Sequence, residues 1–342
     1  MPSHPNVLVL AHGDLYQTIF PDTVRADLEG FANAWYNDLG RNLTEEELCA
    51  RIADVDACIT TWGAPRFTPE VVEAAPRLKI IAHAAGTVKP YVSEAAFARG
   101  IVVTSAAPVI ARCVGEMALM LSLACLRNLT QQDRALKQDR AWDVEELGAP
   151  ETLRDQRVGL IGFGSTAREF AALLAPFGVE LLCFDPYVDG AVLERVGARP
   201  AELDEILTTC RVISLHAASV PATRHLLNAD RLRRIPEGAV LINTARGALI
   251  DTAALVEELR TGRFSAALDV FDPDEPLPAD HPLRDLPNVI LTPHVSGPVR
   301  SRYWEMGQQA VNNVRLVCAP ESRPSSQPLS GAIIAEHLSW TQ

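Results

Sequence analysis

Short, nearly unbroken apolar runs alternate with amphipathic helical patterns along most of this chain, and that alternation limits its fold more than any other feature. Parallel strands are buried on both faces and so read as continuous aliphatic runs, and each needs a crossover helix to reach the next. In the first part the runs are Val7–Ala11, Ala57–Thr61, Lys79–Ala84 and Ile101–Ser105. Thr44-Glu45-Glu46-Glu47-Leu48 between them has the capping-box pattern of a helix start. In the second part the runs are Val158–Phe163, Leu181–Asp185, Val212–His216, Val240–Thr244, Ala266–Phe271 and Val289–Thr292. Six strands joined by right-handed crossovers make a dinucleotide-binding sheet. One helix there is punctuated at both ends, by Asp251 as N-cap and Gly262 as stop, with Leu255, Val256 and Leu259 facing inward. The fold class expected is α/β.

At 342 residues the chain exceeds the size at which one core usually stays whole, so two domains are expected. Ala111–Leu129 reads as a long helix, Gln131–Asp155 as a polar insertion, and Pro298–Val317 as a second connecting helix. Glu321–Gln342, rich in Ser and Pro, reads as a loosely held tail. A net charge of −12 argues against nucleic acid or an anionic membrane surface as the main partner, though one arginine suffices to hold an anionic substrate. The seven cysteines include no CxxC pair, which points to free thiols in a reducing compartment rather than a zinc site or a disulfide frame. The N-terminal MPSHPNVLVLAHGD lacks a basic n-region, and no stretch reads as the ~18 apolar residues of a membrane span. A cytoplasmic protein with no metal site is expected.

Val158–Phe163 runs into Gly162-Phe163-Gly164-Ser165-Thr166-Ala167 and then a helical pattern. Gly162 permits the tight turn, Gly164 lets a pyrophosphate approach the backbone, and Ala167 still allows close helix–strand packing. The helix N-terminus offers unpaired N–H groups to the anion. Asp185 ends the next strand, where it would accept hydrogen bonds from ribose hydroxyls and repel a 2′-phosphate. Pro186 and Tyr187 follow it and supply no cation, so NAD is favoured over NADP. Taken singly, Asp185 also reads as an ordinary capping carboxylate.

Three separated residues carry acid–base chemistry: Arg246 in INTARG, an acid of DVFDPDEP, and His294 in LTPHVSG. Reduction of a 2-oxo acid needs a cation for the carboxylate, best a guanidinium with its fork geometry. It also needs a proton for the carbonyl oxygen as hydride arrives at carbon, and imidazolium donates one near pH 7. A neighbouring carboxylate holds that imidazole in place. Taken singly, Arg246 would make a surface salt bridge, His294 would be a loop histidine, and the acids would form a solvated turn.

These residues, in this order, closely resemble the D-isomer-specific 2-hydroxyacid dehydrogenase family from about residue 50 to about residue 318. The resemblance implies a Rossmann NAD-binding domain (109–299) inserted in a flavodoxin-like substrate domain (1–108 with 300–320), followed by a tail (321–342). It selects Glu275, through its Glu-Pro pair, over Asp272 and Asp274 as the partner of His294. It places His216, Ala217, Thr223 and Gly297 along the cofactor, with Thr244, Ala245 and Asp269 at the nicotinamide and Asp269 holding its carboxamide. Ala85, Gly86 and Thr87 would bind the substrate carboxylate through backbone N–H groups, and domain closure would bring that loop to Arg246 and His294. A homodimer acting on a small 2-oxo or 2-hydroxy acid is the implied assembly.

The chain departs from the family pattern in several places. Ala218 stands where a proline follows His216, Cys113 replaces a small hydroxyl residue, and Ala85-Gly86-Thr87 replaces a Gly-x-Gly loop. Lys89 would read a second anionic group or stay solvated, and Trp62 would wall a pocket or join the core. Arg300, Arg302, Tyr303 and Trp304 follow His294 and would approach the substrate or pack as one helical face. Two other functions stay open on the same scaffold: an NAD-responsive, corepressor-like binding protein, and a formate- or phosphite-type oxidiser.

Overall fold

The computed structural model describes residues 4–142, 149–322 and 329–333. The chain forms two compact units, Met1–Ile110 with Pro298–Gln342 (unit 1) and Ala111–Gly297 (unit 2).

Unit 1 is built on the strands β1 (Asn6–Val9), β2 (Asn33–Tyr36), β3 (Ala57–Thr60), β4 (Ile80–His83) and β5 (Val102–Ser105), all parallel, in the order β2-β1-β3-β4-β5. On one face Val7, Val9, Ile59 and Ala82 pack against Ile19, Leu28 and the helix Tyr303–Cys318, through Met306, Val311 and Val314. On the other, Leu8, Cys58 and Ile81 pack against Leu48, Ile52 and Val71. Each such aliphatic side chain contributes roughly 1.5–3 kcal/mol by leaving water. Thr44 caps the helix Glu45–Arg51 with the expected box: its hydroxyl accepts from Glu47 N–H, and the Glu47 carboxylate accepts from Thr44 N–H.

Unit 2 carries seven parallel strands: β6 (Arg157–Ile161), β7 (Glu180–Phe184), β8 (Ala198–Pro200), β9 (Val212–Leu215), β10 (Val240–Asn243), β11 (Ser265–Leu268) and β12 (Val289–Leu291). Their order is β12-β11-β10-β9-β6-β7-β8, so the winding direction reverses between β6 and β9. The helix Thr252–Arg260 starts where expected, with the Asp251 carboxylate accepting from Ala254 N–H at 3.1 Å, and it buries Leu255, Val256 and Leu259.

Two strands were not anticipated, β2 and β8. Both lie at sheet edges, where β2 shows alternating exposure and β8 is only three residues long, so neither has a continuous apolar run. The insertion expected over 131–155 is more regular than its polarity implied: a helix, Leu129–Arg134, passes into a π-helical turn, Ala135–Asp139, while 143–148 lie outside the described residues.

The expectation for membrane spans also needs correction, because the helix Ala107–Leu126 is long and apolar enough to cross one by length and composition. Its inner face, including Ala118, Leu121, Cys125 and Leu126, is part of the unit 2 core, which accounts for the apolar sequence. The expected tail is likewise held in part. Ser105 N–H donates to the Gly331 carbonyl at 2.8 Å, Ile333 N–H to Val103 at 2.9 Å, and Asn313 Nδ2 to Ser330 at 2.8 Å. Residues 323–328 and 334–342 of that tail lie outside the described residues.

Candidate active site

The loops after β6 and β9 meet where the strand order reverses, the place at which open α/β sheets bind ligands. Gly162 has φ +92°, and a Cβ there would stand 2.6 Å from Ala217 Cα and N, so only glycine lets the two loops approach. Gly164 precedes the helix Ser165–Leu174, and a Cβ on it would meet nothing within 4 Å, which leaves backbone open to an incoming group. Ala167, in the first turn of that helix, is fully buried. The Asp185 carboxylate accepts from Phe163 N–H at 2.7 Å and from Tyr187 N–H at 3.0 Å, so it ties the glycine turn to the end of β7. Pro186 and Tyr187 are exposed.

His216 Nε2 lies 2.9 Å from Ser214 Oγ, and burial pushes its imidazole down to about 3, so the ring is neutral. Its Nδ1, Thr244 Oγ1 and Ser296 Oγ are buried with no partner among the described residues. The Thr223 hydroxyl donates within its own turn, to the Ala218 carbonyl at 2.6 Å. Buried polar atoms are as a rule hydrogen-bonded, so these unpaired groups, with the open Gly164 backbone, fit a polar cofactor in this crevice.

Arg246 lies beyond β10 on a braced turn. Asn243 Nδ2 donates to the Arg246 carbonyl at 3.0 Å, and Ala245 N–H donates to Asn243 Oδ1 at 3.1 Å. The exposed guanidinium donates to the Ala245 carbonyl at 2.6 Å and forms no ion pair among the described residues, leaving donors free for an anion. A Cβ on the next residue, Gly247, would stand 2.0 Å from the Phe271 carbonyl carbon. The β10 and β11 extensions are therefore in backbone contact at this point.

Glu275 Oε1 accepts from Phe271 N–H at 2.7 Å, and Oε2 lies 2.7 Å from His294 Nδ1. An ionised carboxylate only accepts, so Nδ1 carries the proton of this pair and Nε2 is left to face a substrate. His294 adopts φ +55°, and the loop that imposes it is clamped by Asp269. That fully buried carboxylate accepts from Thr292 Oγ1, from Val295 N–H at 3.0 Å and from Ser296 N–H at 2.9 Å, while His294 N–H donates to the Asp269 carbonyl at 2.9 Å. A hollow of about 440 Å³ opens beside Glu275 and His294, walled by Phe271, Leu277, Leu291 and Pro293. Of the competing acids, Asp272 pairs with Arg224 at 3.2 Å and Asp274 is exposed.

The structure thus gathers Arg246, Glu275, His294, Asp269, Gly297 and the glycine-turn residues in unit 2, whereas Trp62, Ala85, Gly86 and Thr87 belong to unit 1. Ala85 is buried and its carbonyl accepts from Ala106 N–H at 2.9 Å; Gly86 is half-buried and Thr87 exposed. Trp62 is 36% exposed and leans on Tyr303, with ring centroids 5.6 Å apart. Arg302, just before the helix Tyr303–Cys318, pairs with Glu305 in its first turn at 2.7 Å. Sequence reasoning missed Gly247, Ser214, Thr292 and Ser296. The only available signals were a small residue directly after the arginine and hydroxyl residues two positions from each histidine.

A doubly wound sheet with this crevice and this imidazole–carboxylate pair defines a nucleotide-dependent oxidoreductase scaffold. Residues 119–296 match the family described as D-isomer specific 2-hydroxyacid dehydrogenase, NAD binding domain. The chain is 35% identical to D-3-phosphoglycerate dehydrogenase of Methanocaldococcus jannaschii over 286 residues, covering 83% of this chain and 54% of that protein. It is 35% identical to glyoxylate reductase of Thermofilum pendens over 290 residues, covering 82% and 84%. A phosphoglycerate oxidoreductase from Rhizobium etli superposes with a TM-score of 0.78 at 26% identity, covering 94% of this chain and 97% of that one. The chain belongs to the D-isomer-specific 2-hydroxyacid dehydrogenase family, and unit 2 carries that family's NAD-binding domain. It spans about half the length, 54%, of the phosphoglycerate dehydrogenases of Methanocaldococcus jannaschii and Mycobacterium leprae that it matches.

Proposed function

We propose that this chain is an NAD-dependent oxidoreductase that interconverts a 2-oxo acid and a D-2-hydroxy acid. The observation that carries the reading is the 2.7 Å contact of Glu275 with His294 Nδ1, at the same sheet edge as the unpaired Arg246 guanidinium. Arg246 binds the substrate carboxylate and polarises the adjacent carbonyl. His294 delivers a proton from Nε2 to the carbonyl oxygen during reduction and removes it during oxidation, while Glu275 holds the ring in place through Nδ1. When bound, NADH supplies the hydride. The Gly162–Thr166 turn and the helix N-terminus hold its pyrophosphate. Asp185 takes the ribose hydroxyls with lone pairs not used by Phe163 and Tyr187. His216, Thr223, Thr244, Ala245 and Asp269 line the path toward the nicotinamide. Ala85, Gly86 and Thr87 present backbone N–H groups to the substrate carboxylate.

A homodimer belongs to the same proposal, supported by exposed Met120, Leu129 and Leu136 on and just after the helix Ala107–Leu126. A cytoplasmic location is supported by seven free cysteines. The test of function is NADH oxidation, followed at its absorbance band, across 2-oxo acids from glyoxylate to branched, aromatic, dicarboxylic and phosphorylated members. Turnover with at least one is expected. Silence across the panel with NADH bound would overturn the reading in favour of an NAD-sensing binding protein.

A further inference from the structure

Arg246 needs a free guanidinium to bind an anion, yet the glycine beside it touches the backbone of an aspartate. A Cβ on Gly247 would stand 2.5 Å from Asp272 N, so Arg246 and Asp272 flank a single backbone contact. Opposite charges so placed attract, and an unengaged carboxylate would pair with the nearest free guanidinium. The structure shows Asp272 engaged elsewhere. Its carboxylate accepts from Arg224 Nη2 at 3.2 Å, while its carbonyl accepts from Thr252 Oγ1 at 2.9 Å.

The backbone around Arg224 fixes where it reaches. His225 takes the left-handed φ +49°, and its N–H donates to the Ala248 carbonyl at 2.8 Å, with Leu227 N–H donating to Leu249 at 2.9 Å. The loop after β9 is thereby stitched to the turn that carries Arg246, and Arg224 extends from it to the loop after β11. As an ion pair this contributes little to stability, because the Arg224 side chain is 56% exposed. Asp272 differs, with a side chain only 22% exposed, and a largely covered carboxylate that loses its cation turns to another donor. Arg260 lines the same hollow of about 400 Å³ as Asp272, but it is already paired with Glu257 at 2.6 Å. Arg246 has no such partner among the described residues.

We infer that Arg224 is a positioning residue that keeps Asp272 away from Arg246 and so keeps the substrate's cation open. Without Arg224, the Asp272 carboxylate occupies Arg246 and competes with any carboxylate arriving there. The inference rests on the 2-oxo acid reading above for the identity of that incoming carboxylate; the arrangement of the three charges stands apart from it.

KM and kcat, with NADH and the 2-oxo acid that turns over fastest, are compared for wild type, Arg224→Gln, Arg224→Lys and the double variant Arg224→Gln/Asp272→Asn. In parallel, phenylglyoxal, which attacks free guanidinium groups, is applied without substrate. Its rate of attachment to Arg246 is followed by peptide mass spectrometry, which needs no turnover. Arg224→Gln is expected to raise KM and to slow Arg246 labelling about ten-fold each, because only molecules with a free guanidinium are competent. Saturating substrate recovers most of kcat, since it displaces Asp272. The double variant is expected to return both readouts to within about two-fold of wild type, and Arg224→Lys to within about three-fold. Arg224→Ala carries the same expectation as Arg224→Gln should that variant fail to fold. A pair that served stability alone would leave the double variant no better than Arg224→Gln, and that result overturns the inference. So do unchanged KM and labelling in a folded Arg224→Gln, the outcome if Asp272 turned to Arg260 instead. Silence in every rate assay, with the labelling pattern as expected, removes the 2-oxo acid reading and leaves Arg224 keeping an anion site open.

Discussion

Gly247→Ala adds one methyl group at a point where the structure has no room for it. Its Cβ would stand 2.0 Å from the Phe271 carbonyl carbon and 2.1 Å from the oxygen. Carbon atoms settle at about 3.5–4.0 Å, so the two backbones must separate by roughly 1.5 Å. Both neighbours are backbone, and no side-chain rotation relieves the contact. On one side the movement carries Arg246; on the other it carries Phe271, whose N–H holds the Glu275 carboxylate that in turn holds His294. A misplacement of about 1 Å costs about 10²-fold in rate, or roughly 2.7 kcal/mol of transition-state stabilisation. Overpacking costs about 1–3 kcal/mol of stability, and each kcal/mol lowers Tm by about 2–4 °C in a domain of this size. The expected variant is folded, binds NADH, melts no more than about 12 °C lower and turns over about a hundred-fold more slowly. The assay pairs kcat with a thermal melt and NADH fluorescence titration. Wild-type kcat in a folded variant would refute the coupling of the two loops, as would a rate loss fully accounted for by unfolding.

His294→Ala should reduce kcat by about 10²–10⁴-fold while NADH affinity stays within a few-fold, checked by fluorescence titration beside steady-state rates. Asp269→Asn replaces an acceptor of three bonds by a group that must turn donor hydrogens toward Ser296 or Val295 N–H. A stability loss of about 1.5–3 kcal/mol and a lower kcat are expected together, read by urea unfolding and turnover. His83 has a depressed folded-state value of about 4 against an unfolded value of about 6.5, so the unfolded chain takes up its proton first as pH falls. Its share of stability, about 3 kcal/mol, is fully present above pH ~6.5 and lost as pH falls toward ~4; urea midpoints across that range should drop less steeply in His83→Gln.

The parts of this fold legible in sequence are those whose physics is local. Strands buried on both faces announce themselves as aliphatic runs, as in Val158–Ile161 and Val240–Ile242. The Asp251 and Thr44 caps are legible because side chain and backbone partner lie three residues apart. The edge strands β2 and β8 escape because neither is covered on both faces, and the pairing of Gly331 and Ile333 with β5 escapes because its partners lie over two hundred residues away. In the site, Arg246, Glu275 and His294 stand out as residue types with a purpose, but only through a resemblance; nothing local separates Glu275 from Asp272 and Asp274.

What sequence reasoning cannot supply is the scaffolding between those three residues, and here that scaffolding is mostly backbone. Asp269 was expected to reach for the cofactor, yet its carboxylate is occupied by Thr292, Val295 and Ser296. Whatever it does for a nicotinamide must be done with the one remaining lone pair or through the loop it shapes. The left-handed backbone at His294 follows from that clamp, and the ring's orientation follows from Glu275, which hangs on Phe271, which touches Gly247 beside Arg246. The acid, the imidazole and the guanidinium are therefore parts of one contiguous edge built from the extensions of β10, β11 and β12. A change at any link, including the apolar Phe271 or the featureless Gly247, acts on all three. For this reason the glycine is a sharper test of the proposed site than the histidine, since losing His294 removes a group whereas altering Gly247 leaves every group present and only moves it.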